Sequence, residues 1–270
     1  MSLTTETIER NKIAMMTVDV EQPELDVHTG VNRFLSLFDE FNVHATFFIT
    51  YNVAKRMPAI VEKITKAGHE VASHGYSHPL PNQPHLTAFT ESEILREVEE
   101  SKKFLLPFGI EPQGIRLPAF KINRKILETV SGYFLYDSSI IPVFGFNRNM
   151  SELMEFCSNR QNFFEIPVSG IKKLNIRLGS PAFFSLGIDK MVTIMQLFGV
   201  TKPIVFYAHS FDLTNVNTSL LVTKRWKKKW YYEKCDSEKI DFFRDFLSYL
   251  KSEKYKIMRC VDYAHILKGI

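Results

Sequence analysis

The sequence predicts an α/β protein built on a parallel sheet. Two observations carry that reading. Short apolar, β-prone runs alternate with runs of helical periodicity through most of the chain. The polar residues able to do chemistry fall at or just past predicted strand ends, where parallel α/β folds build their sites.

Each element follows from its local pattern. Residues 1–11 read as a polar arm, and 12–20 (KIAMMTVDV) as a first strand ending in the acids Asp19 and Glu21. Val31, Phe34, Leu35 and Phe38 fall at helical spacing within 29–42. VHATFFI at 43–49 reads as a buried strand, and 57–67 as a helix that starts with Pro58 and stops on Gly68. HEVASHG at 69–75 is the next strand. Thr90 and Glu93 form a capping pattern that opens a helix to about Leu106. A short strand and turn at 114–120 and a helix at 123–131 follow. Strands are predicted at 133–139, 162–168 and 203–209, then an amphipathic helix at 236–255 and a strand at 256–261. Residues 143–160 and 210–235 are the least regular and read as long surface loops.

Composition narrows the class. With 270 residues, 45% hydrophobic and 24% charged, the chain can bury one sizeable core, so 12–270 is expected to form a single domain after the arm. The net charge of +4 is too weak to argue for nucleic acid. Cys157, Cys235 and Cys260 are odd in number and widely spaced, which argues against a disulfide framework and for a reducing compartment. The stretch MSLTTETIERNK has no apolar core of leader length, and no run reaches the ~20 apolar residues that span a bilayer. The expectation is a cytoplasmic protein, with peripheral membrane contact as an option.

Several residues could carry chemistry. His74 and His78 stand four apart around Gly75, a spacing that can aim both imidazoles at one metal ion. Asp19 and Glu21 are two apart at a strand end, so both face one side of the strand. Arg116 follows a short strand and could orient a carboxylate. Asp137 sits in Tyr-Asp-Ser-Ser, where a turn or cap role is equally consistent. His209 ends an apolar strand with Asp212 three residues on, which suits a general acid whose tautomer a carboxylate sets. Two His and a carboxylate would hold one metal and leave coordination positions open. A second carboxylate and a further His complete the parts for amide hydrolysis.

At this point the chain resembles the polysaccharide deacetylases, also called the NodB-homology group or carbohydrate esterase family four. The resemblance runs from about residue 12 to the C-terminus. It rests on Thr-Val-Asp-Val-Glu at 17–21, His-Ala-Thr-Phe-Phe at 44–48, the segment 68–78 ending in His-Gly-Tyr-Ser-His, Arg-Leu-Pro-Ala-Phe at 116–120, Tyr-Asp-Ser-Ser at 136–139 and Phe-Tyr-Ala-His at 206–209. It implies a distorted (β/α)7-type barrel and one divalent metal, zinc first, with Co2+, Ni2+, Mn2+ or Fe2+ as alternatives. It implies Asp19 as base, His74 and His78 as ligands, Arg116 as brace of the base and His209 as acid. Asp137 belongs with this catalytic group. It also implies an oxyanion-binding amide near Ala119 or Phe120, and Phe206 against the acyl methyl. Tyr76 and Phe120 are further candidate substrate contacts. The commonest first motif has two adjacent Asp; here Val20 follows Asp19, so Glu21 is the candidate third ligand.

The expected substrate is an N-acetylated sugar in a polysaccharide or glycan precursor, and the precursor is favoured because no leader is visible. Five basic residues surround Trp226 within 224–229, which suits a lipid-linked substrate or an anionic membrane surface; Trp226 could also stack on a sugar. The rivals are a deformylase of a lipid-linked amino sugar, an amidase of cyclic imides or ureides, and a catalytically silent glycan-binding module.

Overall fold

The computed structural model describes residues 12–79, 83–143, 150–215 and 236–269. The first strand, β1 (Ile13–Val20), is buried along its whole length. Its faces divide cleanly: Ala14, Met16, Val18 and Val20 pack outward against helices, while Ile13 and Met15 join an inner cluster. Thr17 and Asp19 share that inner face by alternation.

Helix α1 (Val27–Glu40) follows, capped by Asp26, whose side chain accepts the Thr29 amide. Then come β2 (Thr46–Ile49), α2 (Tyr51–Arg56), α3 (Pro58–Lys66) and β3 (Glu70–Ser73). Helix α4 (Glu91–Lys103) opens on the expected Thr90–Glu93 capping box. Strand β4 (Gly114–Ile115), α5 (Arg124–Val130), β5 (Tyr136–Asp137), α6 (Met150–Ser158) and β6 (Phe164–Glu165) continue the alternation. A small antiparallel pair, β7 (Gly170–Ile171) and β8 (Ile176–Arg177), precedes α7 (Ser180–Leu186) and α8 (Ile188–Phe198). The chain closes with β9 (Ile204–His209), α9 (Asp236–Ser252), β10 (Lys256–Ile257) and α10 (Cys260–Lys268).

All the pairings of the main sheet are parallel, in the order β9-β1-β2-β3-β4-β5-β6. β10 extends the β2 edge of β1. The gap between β6 and β9 is bridged by irregular backbone: Ser169 N–H donates to the Val205 carbonyl (2.9 Å) and Leu178 N–H to the Ser169 carbonyl (2.8 Å). Gly179 then pairs in parallel with Tyr207. The result is the distorted seven-strand barrel that the family resemblance implies.

Four expectations change. Residues 150–158, read as loop, form α6, whose Leu153, Phe156 and Cys157 are buried. The final strand is only two residues long, and Cys260 opens a helix instead. The expected strands at 133–139 and 162–168 are cut to Tyr136–Asp137 and Phe164–Glu165. The basic segment 224–229 with Trp226, and Cys235, lie outside the described residues. No helix among the described residues is long and apolar enough to cross a membrane.

Two apolar layers sandwich the strands. The outer layer is rich in Phe: Phe206 meets Phe183 (4.9 Å), Phe246 (4.9 Å) and Phe243 (5.7 Å). Phe206 therefore faces the helices and not the barrel interior, because it alternates with the inward Val205 and Tyr207. The expected contact of Phe206 with an acyl group is corrected on this ground. Phe206→Ala is expected to lower unfolding free energy by about 3–5 kcal/mol, measured by urea denaturation. Unchanged stability would contradict its place in the core.

Candidate active site

Strand register does most of the assembly. Asp19 is in register with His209 on β9 and with Phe48 on β2. The Arg116 amide bonds to the Ser73 carbonyl (2.9 Å), so Arg116 and His74 leave adjacent strands at one level. The C-terminal ends of β1, β3, β4 and β9 thus converge, as parallel barrels require of their sites.

Glu21, His74 and His78 meet there. Their ligand atoms lie within 4.8 Å of one another, and among the described residues they are the one such group of three or more. Glu21 Oε2 is 3.2 Å from His74 Nε2 and 2.6 Å from His78 Nε2. His74 Nδ1 lies 2.8 Å from the Arg116 carbonyl, which only accepts hydrogen bonds. Nδ1 therefore carries the ring proton and Nε2 offers its lone pair toward Glu21. That is the tautomer and backbone contact of a metal-ligating histidine. Burial alone would raise the Glu21 carboxyl's pKa. The charge and hydrogen bond of His78 outweigh it and hold the group well below the usual carboxylate range. A buried carboxylate facing two imidazole nitrogens is a donor set that fits a divalent cation.

Asp19 is held from the other side. Its Oδ1 accepts from Arg116 Nη1 at 2.8 Å, with both side chains buried. Arg116 uses four of its five N–H groups: Nη1 also donates to Thr17 Oγ1 (2.8 Å), Nη2 to Ser138 Oγ (2.8 Å) and Nε to the Ser138 carbonyl (3.1 Å). Its guanidinium lies 4.2 Å from the Phe48 ring centre.

His209 is 12% exposed at its side chain, with Nδ1 3.5 Å from Asp212 Oδ2. Burial pushes its pKa down, but the Asp212 hydrogen bond and charge, aided by Glu21 and Asp19, raise it to about 9. Asp212 is itself fixed: it accepts the His209 amide at 2.7 Å and the Ser180 hydroxyl. Gly30 makes room for this corner, since a Cβ there would sit 1.8 Å from the Ser210 carbonyl oxygen.

Two further candidates are placed differently from expectation. Asp137 is bound to Ser139, accepting its amide (2.9 Å) and hydroxyl (2.7 Å). Ser139 Oγ in turn accepts the Leu117 amide (2.8 Å). Asp137 thus shapes the Arg116 loop rather than joining the reacting groups. Burial raises its pKa, and burial beside Asp137 raises that of Glu165 well above the usual range. Tyr207, not Phe206, shares the inward face with His209, its ring 5.3 Å from Phe120 and 5.9 Å from His209. Strand parity alone identifies it. In the 116–120 loop, Phe120 N–H donates to the Leu117 carbonyl (3.0 Å), which leaves the Ala119 amide as the oxyanion-donor candidate. Ala119 and Phe120 both have φ of 55°, a strained backbone for non-glycine residues. Tyr76 lies between the two histidines, stacked on Tyr51 at 4.3 Å.

Comparison with known proteins agrees with this geometry. The family model described as polysaccharide deacetylase matches residues 7–133. A peptidoglycan deacetylase of Helicobacter pylori is 32% identical over 113 residues, covering 42% of this chain and 37% of that protein. A peptidoglycan-N-acetylglucosamine deacetylase, PgdA of Listeria monocytogenes, is 28% identical over 121 residues, covering 44% and 24%. The matches thus span well under half the length of these relatives. Among solved structures, peptidoglycan deacetylase PdaC from Bacillus subtilis superposes with a TM-score of 0.55 at 14% identity, covering 96% of this chain and 92% of that one. A family-four carbohydrate esterase pseudoenzyme from Bacillus anthracis gives 0.58 at 12%, covering 94% and 66%. At these identities the structural likeness is one of fold. The similarity to polysaccharide deacetylases therefore rests on residues 7–133, just under half of the chain.

Asp212→Asn removes the carboxylate that offsets burial at His209. Its pKa is expected to fall from about 9 toward or below the ordinary histidine value, read by NMR titration of the metal-free protein. An unmoved His209 titration would contradict the pairing.

Proposed function

We propose that this protein is a metal-dependent deacetylase that hydrolyses the N-acetyl amide of an amino sugar. One observation carries the reading: Glu21, His74 and His78 converge beside a buried Asp19 that stands in register with His209. Glu21, His74 and His78 would hold the divalent cation, zinc first. Bound there, it would supply Lewis acidity and lower the pKa of water within its reach.

The chain's own residues supply the rest. Asp19 Oδ accepts the proton of the attacking water, whose oxygen forms the new bond to the acyl carbon. Arg116 grips one oxygen of Asp19 and sets the turn of its carboxylate. The Ala119 amide donates to the oxygen that gains charge. The C–N bond then breaks. His209, protonated below about pH 9, gives its proton to the departing nitrogen, so acetate and a free amine leave. Phe120 and Tyr207 offer apolar surface for the short acyl chain.

The relatives named for peptidoglycan direct the substrate to N-acetylhexosamines in a polymer or its precursor. Between these, a glycan precursor is our favoured form, with a lipid-linked sugar as one version of it.

The test is acetate release from chitooligosaccharides, peptidoglycan fragments and lipid-linked N-acetylhexosamines, with metal analysis of the purified protein. We expect about one equivalent of metal, lost in Glu21→Ala, and activity reduced at least 100-fold in Asp19→Asn. Turnover of cyclic imides alone would move the protein to another amidase class. Full metal occupancy without turnover of any substrate would make it a silent binding module.

A further inference from the structure

Helix α4 buries Ile94, Val98 and Ser101, an i, i+4, i+7 stripe. Glu97 falls on the same stripe at i+3. An acid in the inward row of a helix needs a partner, and its partners are not side chains of opposite charge. Glu97 Oε1 accepts the Ser77 amide at 2.5 Å, and its carboxylate also accepts the Tyr76 amide. These are the two residues between Gly75 and His78. We infer that Glu97 is a positioning residue for the metal site, fixing the turn that sets His74 and His78 on one cation. This rests on reading Glu21, His74 and His78 as the ligands.

The geometry explains why an outside anchor is needed. Gly75 has φ of 81°, and a Cβ there would lie 3.0 Å from Pro118 Cδ. The chain bends at Tyr76, just after the left-handed Gly75. His74 is secured independently by the Arg116 carbonyl at 2.8 Å, and by following β3 directly. His78 has neither support. Its side chain is 20% exposed and its polar contact is with Glu21 itself. The position of His78 thus depends on the turn before it. That turn is held at three points: Gly75 N–H on Ser73 Oγ (3.2 Å), the Tyr51–Tyr76 stack (4.3 Å) and Glu97. Glu97 is the only one of the three that grips two consecutive amides.

The role belongs to metal affinity before it belongs to fold. Removing the carboxylate leaves two amides to find water at a partly exposed turn, a tolerable loss for the helix. It also frees His78 to leave the ligand geometry. Supporting contacts of this kind are worth roughly 10–100-fold in metal affinity.

The experiment titrates metal-free protein with Zn2+ against a competing chelator, and with Co2+ while recording its visible absorption. Glu97→Ala is expected to weaken Zn2+ binding about 10–100-fold and to alter the Co2+ spectrum. Glu97→Gln, which keeps an acceptor oxygen, is expected to recover most of the affinity. The melting temperature of each metal-free variant reports folding. Wild-type affinity and spectrum in Glu97→Ala would overturn the inference and leave the ligand set standing. If that variant does not fold, Glu97→Asp, with the acceptor withdrawn by one methylene, should show the weakening; unchanged affinity there also overturns it. No Zn2+ binding by the wild type, or binding indifferent to Glu21→Ala, would instead overturn the ligand assignment and the inference with it.

Discussion

The site depends on one buried cation, the Arg116 guanidinium, which is wholly removed from solvent. Burying a charge this deeply is costly unless every donor is used and an anion stands close by. Arg116 places four of its five N–H groups on Asp19, Thr17 and Ser138, and Asp19 is the anion beside it. The hydroxyls that receive it are themselves fixed, Thr17 donating to the Phe206 carbonyl (2.8 Å) and Ser138 to the Ile166 carbonyl (2.7 Å). One side chain therefore ties β1 and β9 to the strand ends on the far side of the barrel. Its own backbone carbonyl orients His74. Asp19 and His74, the proposed base and first ligand, are set by the same residue.

That constraint accounts for the strain next to it. Ala119 and Phe120 adopt left-handed backbone immediately after Arg116 and Leu117 are locked. Such residues cost of order 1–3 kcal/mol each and persist only where the surroundings over-determine them. Here Ser139 fixes Leu117, and Asp137 fixes Ser139. The loop that must offer an amide to a developing oxyanion is thus held by a chain of bonds, not by packing alone.

How much of this was legible in the sequence differs from residue to residue. The alternation of strands and helices was, because buried parallel strands are short apolar runs closed by turn residues. The grouping of Asp19, Glu21, His74, His78, Arg116 and His209 was legible through their places at strand ends, and the structure brings those ends together. Phe206 was misplaced although parity favours Tyr207: the family likeness was followed over the two-residue period. Asp137 looked catalytic because an acid after a strand suits catalysis and capping equally, and only Ser139 decides. Helix α6 was hidden by its flanks, which read as loop. Glu97 was not legible at all. A Glu on a helix is usually solvated, and its meaning lies in two amides twenty residues earlier in the chain.

The central claim is that Glu21, His74 and His78 bind one divalent metal beside Asp19. X-ray absorption at the zinc edge of the reconstituted protein tests it most directly. The expected result is a first shell of nitrogen and oxygen only, with outer-shell scattering from two imidazoles that falls to one in His78→Ala. A sulfur-containing shell, or a spectrum unchanged by that substitution, would contradict the account.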